Sequence, residues 1–122
     1  MTASVLWFHQ HWVFVAVGAT GLVGAWGLVA AAMRRAPGRG FHRATLVAIA
    51  AMLVQAAAGL TLYGTGMRPA NGFHVFYGVL VVVSFSIAYV YRSQFAKRPA
   101  LAYGLLLVFV MGLGFRAWAN VA

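Results

Sequence analysis

Four long apolar runs alternate with short polar stretches along the chain. They extend over roughly Trp12 to Met33, Ala44 to Tyr63, Phe73 to Tyr91 and Leu101 to Trp118. A hydrocarbon core of ~30 Å takes about 20 helical residues to cross, and each run is close to that length. Backbone N–H and C=O groups in lipid have to satisfy one another, so each run is predicted to be a helix. The breaks carry helix-ending residues. Arg34-Arg35-Ala36-Pro37-Gly38-Arg39-Gly40 closes the first run, and Gly64 to Gly72, with Pro69 inside it, closes the second. Arg92 to Pro99 separates the last two, and Pro99 suits the first turn of the fourth helix. Short connections favour antiparallel neighbours. The expected fold is all-α, a single domain over residues 1–122. It is read as an integral membrane four-helix up-down-up-down bundle.

Composition strengthens this reading. Hydrophobic residues make up 64% of the chain and charged ones 7%, against about 25% charged in an ordinary soluble domain. A soluble fold of this size has too little interior to hide so much apolar surface.

The charges also orient the bundle. There is no Asp or Glu, so the net charge of +9 comes from Lys and Arg alone. Arg34, Arg35, Arg39 and Arg43 surround the first connection, and Arg92, Lys97 and Arg98 the third; only Arg68 and Arg116 fall on the other side. Seven against two predicts the first and third loops in the cytoplasm, with both termini outside, in a multi-pass protein of the cell membrane. Anionic lipid headgroups, rather than nucleic acid, are the expected partner of these cations. The first basic residue is Arg34, so no charged leader precedes the first run and no secretory signal is expected.

Absent residues exclude chemistry. Without carboxylates the chain offers no acid–base pair, no hard-cation cage and no acidic proton relay. Without cysteine it offers no disulfide, thiolate zinc site, iron–sulfur cluster or thioether-linked haem.

What remains is histidine. His42 sits among Arg39, Gly40 and Arg43 and reads as a headgroup-level residue. His9, His11 and His74 all belong to the outer side. The first and third helices of such a bundle are diagonal, so a histidine at the start of each can reach the axis from opposite sides. That is what a bis-histidine haem requires. His9 and His11 are about 200° apart on a helix, so at most one faces the axis; His11, nearer the apolar run, is favoured over His9. Trp7, Trp12, Phe73, Phe76, Tyr77, Phe115 and Trp118 also form an aromatic belt in which histidines are ordinary company. Zinc or copper would suit two imidazoles as well. Arg68 and Arg116 lack an acidic partner and are expected to bind an anion, either haem propionates or lipid phosphate. Gly18, Gly21, Gly24 and Gly27 form a small-residue stripe suited to close helix packing, or to making room for a flat macrocycle.

The order of these features resembles one four-helix half of the haem A synthase family and, more loosely, other four-helix membrane b-type cytochromes. His11 opens the first helix and Arg34-Arg35 close it. Gln55-Ala56-Ala57-Ala58-Gly59-Leu60-Thr61 lies in the second, similar to a Gln-x-x-x-Gly-x-x-Thr run of that family, and His74 opens the third. The resemblance covers roughly residues 9–90. It implies haem b held between His11 and His74 near the outer face. The family's synthesising halves carry an acidic residue just before the first histidine, and this chain has none there. The expectation is therefore an electron-transfer or accessory protein rather than a stand-alone enzyme, with a redox partner, a larger membrane complex or a second copy as its company. Two alternatives stand beside it. One is a cofactor-free structural or assembly subunit. The other is a small quinone- or lipid-binding protein, in which Gln55, Tyr63, Tyr77 and His74 hydrogen-bond a quinone.

Overall fold

The computed structural model describes residues 2–69 and 71–121; Met1, Ala122 and Ala70 of the second predicted turn lie outside them. Its elements are helices: α1 (Thr2–Ala32), α2 (Arg39–Gly64), α3 (Phe73–Val90), the short α4 (Arg92–Phe95) and α5 (Pro99–Ala119). The four long helices are each long and apolar enough to cross a membrane, as a multi-pass membrane protein requires.

The ends of α2, α3 and α5 lie close to the apolar runs, whereas α1 begins well before Trp12. No Pro or Gly interrupts Thr2 to Gln10, so the helix continues past the point where the apolar run thins. At 31 residues, α1 is about 46 Å long, more than a ~30 Å core needs, so it tilts or stands clear of the lipid at one end. This extension places His9 and His11 inside the helix and fixes their directions.

α1 closes in a Schellman motif: Arg35 N–H donates to Ala30 O at 2.9 Å and Arg34 N–H to Ala31 O at 3.1 Å. The residue at the left-handed position is Arg34, with φ 54°, where a side chain costs about 1–2 kcal/mol. Arg34→Gly is therefore expected to raise stability by up to about 1 kcal/mol, partly offset by the looser unfolded chain. A denaturation series in detergent that found the variant no more stable would contradict this account of the turn.

α1 packs along both α2 and α5, and α3 packs along α5; of the four seams between helices adjacent around the bundle, that between α2 and α3 is the loosest. Neighbours ascend on one helix as they descend on the other. Trp12 Nε1 donates to Ala51 O at 2.8 Å, while the Trp26 and Phe41 rings meet edge to face with centroids 5.6 Å apart. Val17, Met52, Val81, Phe85, Leu107, Val110 and Leu113 belong to one continuous buried core. The glycine stripe serves the α1–α5 contact. A Cβ on Gly27 would stand 2.7 Å from Ala100 O, and one on Gly104 would stand 2.9 Å from Leu28 N. The two backbones touch there, as small residues allow in membrane helices.

Candidate functional site: a two-histidine cavity

At the end of the bundle that carries the start of α1, the four long helices enclose a cavity of about 290 Å³. Apolar side chains form most of its wall. Three partly buried polar ones enter it: His9 from α1, Gln55 from α2 and His74 from α3.

His9 and Gln55 hold each other. His9 Nδ1 lies 3.1 Å from Gln55 O, and Gln55 Nε2 donates to His9 O at 2.7 Å. A backbone carbonyl only accepts, so Nδ1 carries the proton and Nε2 keeps its lone pair. One turn further along α2, a Cβ on Gly59 would come within 3.0 Å of His9 Cε1. Glycine there leaves the ring its seat. The Gln55-to-Gly59 spacing is thus a socket for a histidine of the neighbouring helix.

His74 is held in the same way by a different helix. Its Nδ1 donates to Ala117 O of α5 at 2.8 Å, which leaves Nε2 as the lone-pair nitrogen. Asn71 sets the entry of α3: its Oδ1 accepts Phe73 N–H at 2.9 Å and its Nδ2 donates to Asn120 Oδ1 at 3.2 Å. The two imidazole rings meet edge to face, with centroids 5.9 Å apart and planes at 84°. A backbone carbonyl on one ring nitrogen is the usual way to fix the tautomer and direction of a metal-binding imidazole. Both rings have it.

The other expected site residues lie elsewhere. His11 is exposed; its ring stacks on Trp7 at 4.4 Å and its Nδ1 lies 2.8 Å from Trp7 O. The preference for His11 rested on a helix starting near Trp12. In the longer α1 the cavity face runs through His9, Val13 and Val17, and His11 points away from it. Arg68 is folded over the Tyr63 ring at 3.7 Å, with Nη1 donating to Tyr63 O at 2.7 Å. Arg116 is exposed, and its guanidinium has no hydrogen-bond partner among the described residues. Neither arginine lines the cavity; nor do Tyr63 and Tyr77. His42 is exposed at the other end of the molecule, beside Phe41.

Contributors to the cavity that escaped the sequence reading include Met52, Gly78, Gly114 and Ala117. At Gly78 an added Cβ would meet nothing within 4 Å, so this glycine is open space in the wall. Gln55 Oε1 is buried without a hydrogen-bond partner among the described residues. Such an acceptor asks for a donor.

The donor set suits a haem. Two imidazoles sharing one metal ion, each with its nitrogen about 2 Å from it, have ring centres roughly 6 Å apart, and the observed spacing meets that. Among the described residues no cluster of three or more His, Cys, Asp or Glu side chains exists. The ligands are neutral, and a macrocycle brings its own negative charge to the metal. The cavity, at about 290 Å³, falls just below the usual range for a small-molecule site, so a haem would need its wall to open further; Gly78 adds no side chain there. Comparison of the chain with protein-family models, with characterised proteins and with solved structures gives no match.

Proposed function

We propose that this is a membrane b-type cytochrome-like haem protein that transfers electrons, alone or as a subunit of a redox complex. The observation that carries the reading is the pair of neighbouring imidazoles in one cavity, each with its Nδ1 proton fixed on a backbone carbonyl of a neighbouring helix. His9 and His74 would hold the haem iron in this reading. Gln55, Gly59 and Ala117 position them. Arg116, exposed one residue before Ala117, is the arginine best placed for a propionate, since Arg68 is already engaged with Tyr63. Bound haem supplies one-electron chemistry; burial and two neutral nitrogen ligands set its potential.

The bundle runs up-down-up-down in the cell membrane. Its basic first and third loops are cytoplasmic, against anionic headgroups, and both termini and the two-histidine cavity lie on the outer side. One haem near one face does not carry electrons across the bilayer, so a quinone, a second haem protein or another subunit completes the path.

The test is the optical spectrum of protein purified after expression with ample haem supply. A Soret band, with resolved alpha and beta bands after dithionite reduction, is the expected result for six-coordinate low-spin iron. A featureless spectrum in folded protein overturns the reading.

A further inference from the structure

We propose that the two-histidine cavity opens sideways into the bilayer at the α2–α3 seam, so that its ligand enters from the lipid phase as a membrane-dissolved molecule. α1 with α2, and α3 with α5, move as two leaves about the α1–α5 contact, and each leaf carries one of the histidines. The identity of the ligand as haem rests on the cytochrome reading; the motion of the leaves does not.

Hydrogen bonds define the leaves. Between α1 and α2, His9 Nδ1 donates to Gln55 O, Gln55 Nε2 to His9 O and Trp12 Nε1 to Ala51 O. Between α3 and α5, His74 Nδ1 donates to Ala117 O, and Asn71, just before α3, donates to Asn120, just after α5. Among the described residues no hydrogen bond joins α2 to α3. In lipid this weighs more than apolar area does. Acyl chains are as apolar as leucine, so parting two apolar helices there exposes nothing to water, and packing and hydrogen bonds are what hold them. The α2–α3 seam lacks the bonds and is also the loosest of the four between adjacent helices. The α1–α5 seam is the opposite, with backbone against backbone at Gly27, Ala100 and Gly104, and serves as the spine.

The cavity lies along the weak seam. Gln55 and Ala56 of α2 and His74, Gly78 and Val81 of α3 line it, and a Cβ on Gly78 would meet nothing within 4 Å. Closer to the end of the bundle a second hollow, of about 320 Å³, is lined by Tyr63 of α2 and by Gly72 and Val75 at the start of α3, so the two helices are already parted there. Widening the cavity elsewhere breaks polar contacts: three hydrogen bonds if α1 leaves α2, two if α3 and its entry leave α5 and its end. Because His9 rides on one leaf and His74 on the other, a ligand that joins them also fastens the seam.

The chain has no cysteine, so introduced pairs are labelled uniquely. One pair is Leu60→Cys on α2 and Val79→Cys on α3, exposed positions one turn beyond Ala56 and next to Gly78. The reference pair is Leu22→Cys on α1 and Leu105→Cys on α5, also exposed. Spin-label distances are measured on the full-length protein in lipid nanodiscs. The α2–α3 pair is expected to show a second population at longer distance, which added haem removes; the α1–α5 pair is expected to show one narrow population throughout. The two cysteines of the α2–α3 pair are then joined by a cleavable bis-thiosulfonate linker that spans the shorter distance. Linking is expected to slow haem uptake by at least about tenfold, an added barrier of about 1.4 kcal/mol, and reductive cleavage to restore it. Each cysteine capped alone with a monofunctional reagent controls for bulk at the seam, and slowing by the caps equal to that by the linker counts against the proposal. A single narrow population for the α2–α3 pair, a long-distance population that persists with haem bound, or uptake as fast in the linked as in the unlinked protein overturns it. Protein that takes up no haem removes the cytochrome reading alone, and the α2–α3 distances without haem then uphold or overturn the motion by themselves.

Discussion

If the proposed haem is bound, replacing His9 by alanine is expected to remove its low-spin spectrum, and replacing His11 by alanine is expected to leave it intact. Both variants follow from the phase of α1. Residues 9, 13 and 17 recur at four-residue spacing along the cavity wall, and a residue two positions after His9 is turned about 200° from it. His11 spends its ring on Trp7, by stacking and through a bond to the Trp7 carbonyl. His9 is seated by Gln55 and Gly59 with Nε2 unspent. Loss of a ligand costs at least what an outer-shell partner is worth, so His9→Ala and His74→Ala should each lower haem retention by about tenfold or more. Haem content per protein and the sharpness of the reduced alpha band measure this directly. A His11 variant that loses its spectrum while the His9 variant keeps it would mean that the direction of α1 near its start is wrong, and the two-histidine cavity with it.

The difference between His9 and His11 shows which part of the molecule the chain states openly. The four apolar runs, the Pro and Gly breaks between them and the lack of acidic residues declare four membrane-length helices. These are bulk properties, and they survive errors of several residues at each boundary. The choice between two histidines does not. It depends on the start of one helix and therefore on whether a moderately apolar stretch, Thr2 to Gln10, continues the helical path. Hydropathy fades there before helicity does. Gln55 and Gly59 were legible as a spaced pair, but their purpose came from a residue on another helix. Met52, Gly78 and Gly114 carry no local mark at all; a methionine or glycine in an apolar helix is ordinary until its neighbours are known. Arg68 and Arg116 were grouped by side of the membrane, a coarser coordinate than the one that decides contact. For Arg68 the separation from the cavity comes from side-chain reach: it caps the carbonyls of its own turn.

Gly104→Leu is the substitution expected to damage the bundle most, because it drives apart the two helices on which the site depends. A side chain at this position begins with a Cβ 2.9 Å from Leu28 N, 3.1 Å from Gly27 C and 3.2 Å from Gly24 O. All three are backbone atoms, so no change of rotamer relieves them; α1 and α5 have to separate. Overpacking of a well-filled core commonly costs 1–3 kcal/mol, and a clash with backbone belongs at the upper end, about 3 kcal/mol. The contrast lies in Gly18→Ala and Gly112→Ala. At both positions a Cβ meets nothing within 4 Å, and alanine in a helix gains about 0.5–1 kcal/mol over glycine. The same glycine-to-larger change is therefore expected to have opposite signs within one pair of helices. Unfolding in mixed micelles, followed by helicity, measures all three variants on one scale. The consequence reaches the cavity, since α1 carries His9 and α5 carries the Ala117 carbonyl that holds His74. Separation at Gly104 changes the distance between the two rings even though neither histidine is touched. Haem retention should then fall in Gly104→Leu and hold in Gly18→Ala. Equal stability of these two variants would show that α1 and α5 do not meet backbone to backbone, and the spacing of the histidines would lose its structural cause.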